Sequence, residues 1–307
     1  MTGDLAGLAS SPRFMGINPE MVCALTRSTV MFSVPELPEV ETLRRDLELS
    51  ITGARITKTT LGRLRSVRRY KDPGLFVAQT ERAQFLGFDR LGKYLFARLA
   101  TGQTLVVHLR MSGQMRLVDS PGEPLLAHTH VRFTFDDGRE LRFVDPRTFG
   151  EMYISTNNVP ELSHLGCDAL RVLTDSELFE RVLTNRRMAL KGVLLDQSSL
   201  AGIGSIYADE GCFVAGISPV RPAASLNEME RDRLRIALLA VLEEGIAARG
   251  STLGDGQYVD LFGQRGTYAF AHRVHAKGGR PCPQCGHPLV RVIIAQRSAV
   301  YCEHCQR

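Results

Sequence analysis

The pattern of hydrophobic and polar positions changes along the chain and predicts first a helix and then strands. Val40, Leu43 and Leu47 recur at three- and four-residue spacing, which indicates the buried face of a helix. Pro38 suits the first turn of that helix, because its missing N–H is not needed there. From about residue 54 to residue 155, short runs rich in aromatic and β-branched residues predict strands, with a hairpin turn at 136–138. One helix followed by such strands indicates a β-sandwich.

The second half of the chain has a helical pattern. Thr174 with Glu177 predicts a capping box that opens a helix running towards residue 187. Ser225 with Glu228 predicts a second capping box, and the helix it opens should end at Arg249-Gly250. The chain is therefore expected to combine a β-rich part with a helical part.

A glycine turn lies between these two predicted helices. Gly202 and Gly204 precede Ser205, where a further helix is expected to begin. The first N–H groups of a helix have no partner within it, so such an end can bind a phosphate. Glycine turns cap many helices, so this turn alone is a weak indication of phosphate binding.

Charge is concentrated near the C-terminus. The formal net charge is +5, and residues 265–307 carry seven Lys and Arg against Glu303 alone. A basic module of this kind suits a polyanionic partner. Hydrophobic residues make up 44% of the chain but form no long apolar run, which argues against membrane spans. A second basic cluster is expected to be a solvated loop, not a direct contact: Arg63, Arg65, Arg68, Arg69 and Lys71.

Two cysteine pairs have the spacing of a metal site. Cys282 and Cys285 are followed, after sixteen residues, by Cys302 and Cys305. Four thiolates on two knuckles can hold one tetrahedral zinc ion and leave no position open for a substrate. Disulfide pairing is the weaker alternative, since no secretory signal is evident. The residues between the pairs predict a zinc-held β-hairpin that presents Arg297.

The helix signal does not explain Pro35-Glu36, which lies just ahead of the first helix. The whole segment 34–42, VPELPEVET, resembles the N-terminus of the formamidopyrimidine-DNA glycosylase family. These are bacterial repair enzymes that excise oxidised purines, and an amino-terminal proline performs their chemistry. The resemblance extends from Val34 to Gln306. It implies an α+β multidomain fold with a catalytic β-sandwich domain and its N-terminal helix at 34–165. A helix–two-turn–helix DNA-binding domain at 166–268 and a zinc finger at 269–307 follow.

The position of Pro35 matters chemically. An amine nucleophile needs a free lone pair, and a proline inside a chain has a tertiary amide nitrogen whose lone pair is delocalised. We therefore expect residues 1–33 to be a non-native or disordered leader. Our hypothesis is that Val34 is the true initiator, translated from a GTG codon and then removed. Intact-mass measurement of the native protein, or the nucleotide codon for Val34, tests this hypothesis.

The resemblance implies roles for individual residues. Pro35 is the expected nucleophile and Glu36 an acid towards the sugar ring oxygen. Lys93 is expected to act near the lesion in β-elimination, and Arg297 to grip phosphates and assist δ-elimination. Further residues match positions that contact DNA in the family: His108, Met111, His128, Arg147, Phe149, Arg186, Lys191 and Ser205.

Three of these DNA contacts should probe the duplex. When the damaged base leaves the stack, Met111 and Phe149 would be apolar wedges in the duplex. Arg147 would form hydrogen bonds with the base that has lost its partner. Taken alone, Met111 or Phe149 would more often belong to a core. The chain departs from the family at Ser205, where asparagine is usual, so we expect a weakened phosphate contact there.

The resemblance implies a bifunctional DNA glycosylase/AP lyase for 8-oxoguanine and formamidopyrimidines, with one structural Zn²⁺ and damaged double-stranded DNA as partner. It also implies a monomer without membrane association, in the bacterial cytoplasm at the nucleoid. An endonuclease VIII-like enzyme for oxidised pyrimidines is an alternative, although Leu37 stands where that type has glycine. A non-catalytic damaged-DNA binder remains open if Pro35 stays blocked. A generic zinc-ribbon regulator would leave the Pro-Glu start unexplained.

Overall fold

The structure, a computed structural model, describes residues 34–156 and 159–307; the predicted leader lies outside the described residues. Helix α1 spans Leu37–Ile51 with Pro38 in its first turn. Val40, Leu43 and Leu47 are all buried on the face that the spacing predicts. This helix therefore packs by its apolar stripe, which agrees with its sequence pattern.

A β-sandwich follows α1. Its strands are β1 (Ile56–Leu61), β2 (Phe85–Leu91), β3 (Tyr94–Leu99), β4 (Gln103–His108), β5 (Gln114–Val118), β6 (Thr129–Phe135), β7 (Glu140–Val144) and β8 (Glu151–Thr156). They form two antiparallel four-stranded sheets, in the orders β1-β6-β7-β5 and β2-β3-β4-β8. A 3₁₀ turn at Leu64–Val67 and helix α2 at Pro73–Thr80 connect β1 to β2. The predicted β-sandwich is confirmed.

The sandwich core is apolar and includes one face of α1. Leu105 and Phe133 come from different sheets and belong to the same buried cluster as Leu47. The predicted hairpin joins β6 to β7, and Gly138 adopts a φ of +90° in its turn. Buried and less buried positions alternate along much of β6, whereas every position of β7 and nearly every position of β4 is buried.

The helical part has six described helices. They are α3 (Ala169–Leu173), α4 (Ser176–Leu183), α5 (Leu190–Leu194), α6 (Ser205–Ala215), α7 (Glu228–Ala247) and α8 (Tyr268–Ala271). A two-residue strand, β9 (Cys167–Asp168), pairs in parallel with β10 (Leu200–Ala201). The helices enclose a second buried cluster, in which Leu37 of α1 also takes part.

The predicted capping residues of two helices were wrong. Asp175, not Thr174, caps α4 and accepts a hydrogen bond from the N–H of Leu178. Asn227, not Ser225, caps α7 and forms a capping box with Glu230. Neighbouring polar residues can all cap a helix, and packing decides which one begins it. Helix α4 ends at Leu183 and α7 at Ala247, both earlier than expected.

The C-terminal hairpin consists of β11 (Val290–Ile294) and β12 (Arg297–Tyr301). All described residues belong to one compact unit, and the predicted domain boundaries stay predictions. Within 34–156 and 159–307, the helices lack the combination of length and apolar character that crossing a membrane requires.

Candidate active site and DNA-binding surface

The start of α1 lies against the N-terminus of α6. The carboxylate of Glu36 is almost fully buried and accepts hydrogen bonds from the backbone N–H groups of Ile206 at 3.0 Å and Tyr207 at 3.4 Å. A Cβ atom at Gly204 would lie 2.2 Å from the Glu36 carboxyl carbon, so glycine is required there. The N-terminal end of a helix favours negative charge, which suits a carboxylate at this place.

Glu39 lies behind Glu36 and fixes its backbone. Its carboxylate accepts hydrogen bonds from Glu36 N at 2.8 Å, Ser251 N at 2.8 Å and the Tyr207 hydroxyl at 2.9 Å. Burial raises the pKa of Glu39 to about 7, and the nearby charge of Glu36 adds to the increase. The backbone of the Pro35-Glu36 dipeptide is thereby held by a buried hydrogen-bond network.

Lys93 lies in the tight turn between β2 and β3, close to the same dipeptide. Burial lowers the pKa of Lys93, the charge of Glu36 opposes this change, and the charge of Arg297 adds to it. Gly92 adopts a φ of +58° and has no room for a Cβ, which would lie 2.9 Å from Ala201. The structure therefore places Lys93 within electrostatic reach of both Glu36 and Arg297.

The turn that carries Lys93 is tied to the helical part. Arg90 forms ion pairs with Glu41 of α1, at 3.0 Å, and with Asp168. Asp168 also accepts a hydrogen bond from Gly92 N at 2.8 Å. This network connects the sandwich, α1 and the helical part beside Lys93.

Arg297 is exposed at the tip of the C-terminal hairpin. The two turn residues before it, Ala295 and Gln296, both have positive φ values of +47° and +60°. Such φ values are those of a type I′ hairpin turn. The carbonyl oxygen of Ser298 accepts hydrogen bonds from Lys191 and, at 3.2 Å, from the Ser205 hydroxyl. The hairpin is thus anchored one residue after Arg297.

Lys191 is buried, unlike a lysine that contacts a phosphate from the protein surface. Its side chain is completely buried, and its ammonium forms an ion pair with Asp209 at 2.6 Å. The same ammonium donates to the Ser205 hydroxyl at 3.0 Å. Because a buried charge needs partners within the protein, the observed arrangement gives Lys191 an internal role.

The loops that carry Met111 and Phe149 are joined by Asp145. The Asp145 carboxylate accepts hydrogen bonds from the Ser112 hydroxyl, from Gly150 N at 2.7 Å and from Arg147 N at 3.3 Å. Ser112 belongs to the first loop, and the other two donors belong to the second. One buried carboxylate therefore sets the relative position of both loops.

These loops have strained backbones at their tips. Arg110, before Met111, has a φ of +54°, and Thr148, before Phe149, has a φ of +57°. Non-glycine residues in this region cluster at functional sites. Phe149 is 39% exposed and Met111 is partly buried, so neither is an ordinary core residue. The guanidinium of Arg147 lies 5.3 Å from the Phe149 ring centroid.

The other predicted DNA contacts differ in exposure. His108 is mostly buried against Tyr94, and its Nδ1 accepts a hydrogen bond from Arg110 N at 2.9 Å. Burial lowers the pKa of His108 well below its ordinary value, which favours a neutral imidazole. His128 is exposed, with a φ of +67°. Arg186 is half-exposed and donates to Ser199.

The four cysteines fit one zinc ion. The Sγ atoms of Cys282 and Cys305 are 3.9 Å apart, and those of Cys285 and Cys302 are 3.5 Å apart. Zinc–sulfur distances of about 2.3 Å in a tetrahedron separate the sulfurs by roughly 3.8 Å. All four ligand atoms lie within 4.8 Å of one another. Zinc in this site would hold the two ends of the hairpin together.

Sequence reasoning missed several supporting residues. Asp145 begins the segment that contains Arg147 and Phe149, and an aspartate at a turn commonly accepts N–H groups of its own loop. Glu210 of α6 accepts hydrogen bonds from the backbone N–H groups of residues 273, 274 and 275 and so fixes the approach to the zinc site. Glu39 gave no signal beyond its place in a first helical turn.

Three family models match the chain in order. They are described as "Formamidopyrimidine-DNA glycosylase N-terminal domain" at 34–152, "Formamidopyrimidine-DNA glycosylase H2TH domain" at 165–256 and "Zinc finger found in FPG and IleRS" at 279–307. A β-sandwich, a helix–two-turn–helix unit and a zinc finger define a class of glycosylase-type proteins. The chain belongs to the formamidopyrimidine-DNA glycosylase family.

Relatives and solved structures extend this match. Formamidopyrimidine-DNA glycosylase of Moorella thermoacetica is 45% identical over 264 residues, which are 84% of this chain and 94% of the relative. The crystal structure of MutM (Fpg) from Thermus thermophilus has a TM-score of 0.77 at 38% identity, covering 89% and 98% of the two chains. Lactococcus lactis Fpg in complex with abasic-site DNA has a TM-score of 0.80 at 28% identity, covering 89% and 99%.

Proposed function

We infer that this chain is a DNA glycosylase that excises oxidised purines from duplex DNA and then cleaves the abasic site as a lyase. The observation that carries this inference is the buried placement of Glu36 next to Pro35 at the start of α1, with Lys93 within electrostatic reach of Glu36 and of Arg297. Relatives support the substrate class, since Lactococcus lactis Fpg has been solved with abasic-site DNA and with Fapy-dG DNA.

Pro35 is proposed as the nucleophile. Its nitrogen attacks C1′ of the deoxyribose, and the bond from C1′ to the damaged base breaks. Only a chain whose first residue is Pro35 has a secondary amine there, and a terminal amine titrates at about 7.7–8.0 in unperturbed peptides. The active form is therefore proposed to begin at Pro35.

Glu36 and the two cations complete the proposed reaction. Glu36 takes up the proton that the Pro35 nitrogen loses after its attack and passes it to the sugar ring oxygen, so that the ring opens and a Schiff base to Pro35 forms. Lys93, whose pKa burial lowers, supports β-elimination. Arg297 holds the phosphate for δ-elimination. Release of the Schiff base by water restores the amine of Pro35.

DNA binding is assigned to the loops and helix ends around this site. Met111, Arg147 and Phe149 fill the space left by the flipped nucleotide. His108, His128, Arg186, Lys191 and Ser205 are the remaining proposed contributors to DNA binding. Lys191 contributes by holding the hairpin of Arg297, since it is buried. We propose that the protein acts as a monomer at the nucleoid, because one chain supplies every proposed group.

Borohydride trapping tests the proposal. A chain that starts at Pro35 should form a covalent adduct with 8-oxoguanine duplex, and the full 307-residue chain should bind without an adduct. A duplex that contains thymine glycol is the comparison substrate. An endonuclease VIII-like enzyme would be more active on it than on the 8-oxoguanine duplex. A gel shift without any adduct from the Pro35-start chain would instead favour a non-catalytic damaged-DNA binder.

A further inference from the structure

Two arginines of the segment before α2 contact the loop that carries Phe149. Arg65 donates to the carbonyl oxygen of Thr148 at 3.1 Å. Arg68 donates to the carbonyl oxygens of Phe149 and Gly150, both at 2.9 Å. Three successive carbonyls thus accept hydrogen bonds from two guanidinium groups. Arg65 and Arg68 are exposed, as expected of a solvated segment, and also make these contacts within the protein.

These contacts occur where the loop is strained. Thr148 has a φ of +57°, a conformation that a non-glycine residue keeps only where its surroundings impose it. Hydrogen bonds from a guanidinium are charge-assisted and stronger than neutral ones. Arg65 and Arg68 therefore add to the contacts of Asp145 in holding this strained loop conformation.

Glu151 extends these contacts to the loop that carries Met111. Its nearly buried carboxylate forms ion pairs with Arg68 at 3.3 Å, Arg69 at 3.4 Å and Arg110 at 3.1 Å. Burial by itself would raise the pKa of Glu151, but hydrogen bonds from Arg110 and Arg69 hold it below its ordinary value. Arg110 directly precedes Met111. A charged Glu151 thereby links the backbone around Met111 to the arginines that hold the Phe149 loop.

The base of this arrangement is rigid. Ser66 and Val67, between the two arginines, are buried, and Val67 belongs to the sandwich core. The guanidinium of Arg69 also lies 3.6 Å from the centroid of the Tyr153 ring in β8. The arginines therefore project from a packed support and not from a free loop.

We propose that Arg65, Arg68 and Glu151 are positioning residues that hold the Met111 and Phe149 loops in the conformation that enters the duplex. The inference rests on the proposed function. It predicts that loop entry, and not initial DNA binding, depends on these residues. If the arginines instead contacted a DNA phosphate directly, their loss would lower the affinity for DNA and leave the rate of loop entry at saturating protein unchanged.

Stopped-flow fluorescence of 2-aminopurine separates the two steps. The full chain is mixed with a duplex containing a tetrahydrofuran abasic analogue beside 2-aminopurine, whose emission rises when stacking is lost. At saturating protein, Arg68→Ala should slow the rise by about tenfold, and its affinity, measured by anisotropy, should change by less than about threefold. Arg68→Lys should recover part of the rate, since a cationic donor group remains without the guanidinium fork that reaches both carbonyls. Glu151→Gln should slow the rise as well.

Arg63→Ala is the matched control. Arg63 is an exposed arginine of the same segment and makes no side-chain hydrogen bond or ion pair to the described residues. Its loss should leave the saturated rate unchanged. The proposal is overturned if Arg68→Ala, melting like wild type, gives a normal rate, or if Arg63→Ala slows the rise equally. If the wild-type protein binds the duplex without any rise in 2-aminopurine emission, both loop entry and the positioning role of these residues are overturned. A missing borohydride adduct alone counts only against the proposed chemistry.

Discussion

The Glu36 carboxylate accepts a hydrogen bond from the N–H of Ile206, 170 residues away in the chain, at 3.0 Å. Glu36 precedes α1, and Ile206 lies in the first turn of α6, so one side chain joins the two helix starts. Leu37 N also donates to the carbonyl of Gly202 at 3.1 Å. Long-range packing therefore determines where the Pro35-Glu36 dipeptide lies.

Substitution of Gly204 by alanine should disrupt this relationship. The new Cβ would lie 2.2 Å from the Glu36 carboxyl carbon and would displace it from the helix start. A displacement of about 1 Å at a reacting group can cost on the order of a hundredfold in rate. We expect this loss in single-turnover excision of 8-oxoguanine by the Pro35-start chain. Gly122→Ala, at an exposed glycine with an ordinary 3.4 Å contact, should retain the wild-type rate. Equal rates for both variants would contradict the prediction.

Glu39 should make stability depend on pH. Burial raises its pKa to about 7 in the folded protein, against 4.5 ordinarily, so the folded state binds more protons between these values. Its stabilising contribution is full below about pH 4.5 and is lost as pH rises to about 7. The change is on the order of 3 kcal/mol. Urea unfolding between pH 5 and pH 8 should show this decrease in wild type and a flatter profile in Glu39→Gln. Parallel profiles would count against a titrating Glu39.

Local signals in the sequence predicted much of the fold. The spacing of Val40, Leu43 and Leu47 predicted the buried face of α1, and turn residues predicted the β6–β7 hairpin, because periodicity and turn chemistry depend on near neighbours. Helix starts were less certain. Asp175 and Asn227 cap where Thr174 and Ser225 were expected, since adjacent polar side chains compete and packing selects among them.

The internal partners of the site could not be predicted in this way. Lys191 is buried because its ammonium donates to Asp209, eighteen residues later, and to the carbonyl of Ser298 in the C-terminal hairpin. Sequence spacing carries no information about such contacts. The contacts that Arg68 makes within the protein could not be predicted for the same reason, since its carbonyl acceptors lie about eighty residues away. The chemistry-bearing residues were recognisable, but the groups that position them were not.

Lys191→Met should destabilise the protein strongly. Among the described residues, it would leave the buried Asp209 carboxylate in contact with His275 alone, without the lysine ammonium at 2.6 Å. Breaking one side of a buried pair costs about 3–5 kcal/mol. Urea unfolding should show this loss, and Lys191→Met with Asp209→Asn should recover part of it. Arg181→Ala removes an exposed pair with Glu177 and should cost less than about 1 kcal/mol. Similar losses for Lys191→Met and Arg181→Ala would refute the internal role.

Zinc removal should unfold the C-terminal hairpin without unfolding the sandwich. Cys282 and Cys302 lie in a small buried cluster with Leu289 and Val300, which is too small to fold without a metal crosslink. After chelation, hydrogen exchange of β11 and β12 amides should become fast, and peptides from β2 to β4 should keep their protection. Ser298 would then leave Lys191, so Arg297 would lose its place beside Lys93 and δ-elimination should fall further than base excision. Unchanged protection of β11 and β12 in protein shown by metal analysis to lack zinc would contradict this dependence.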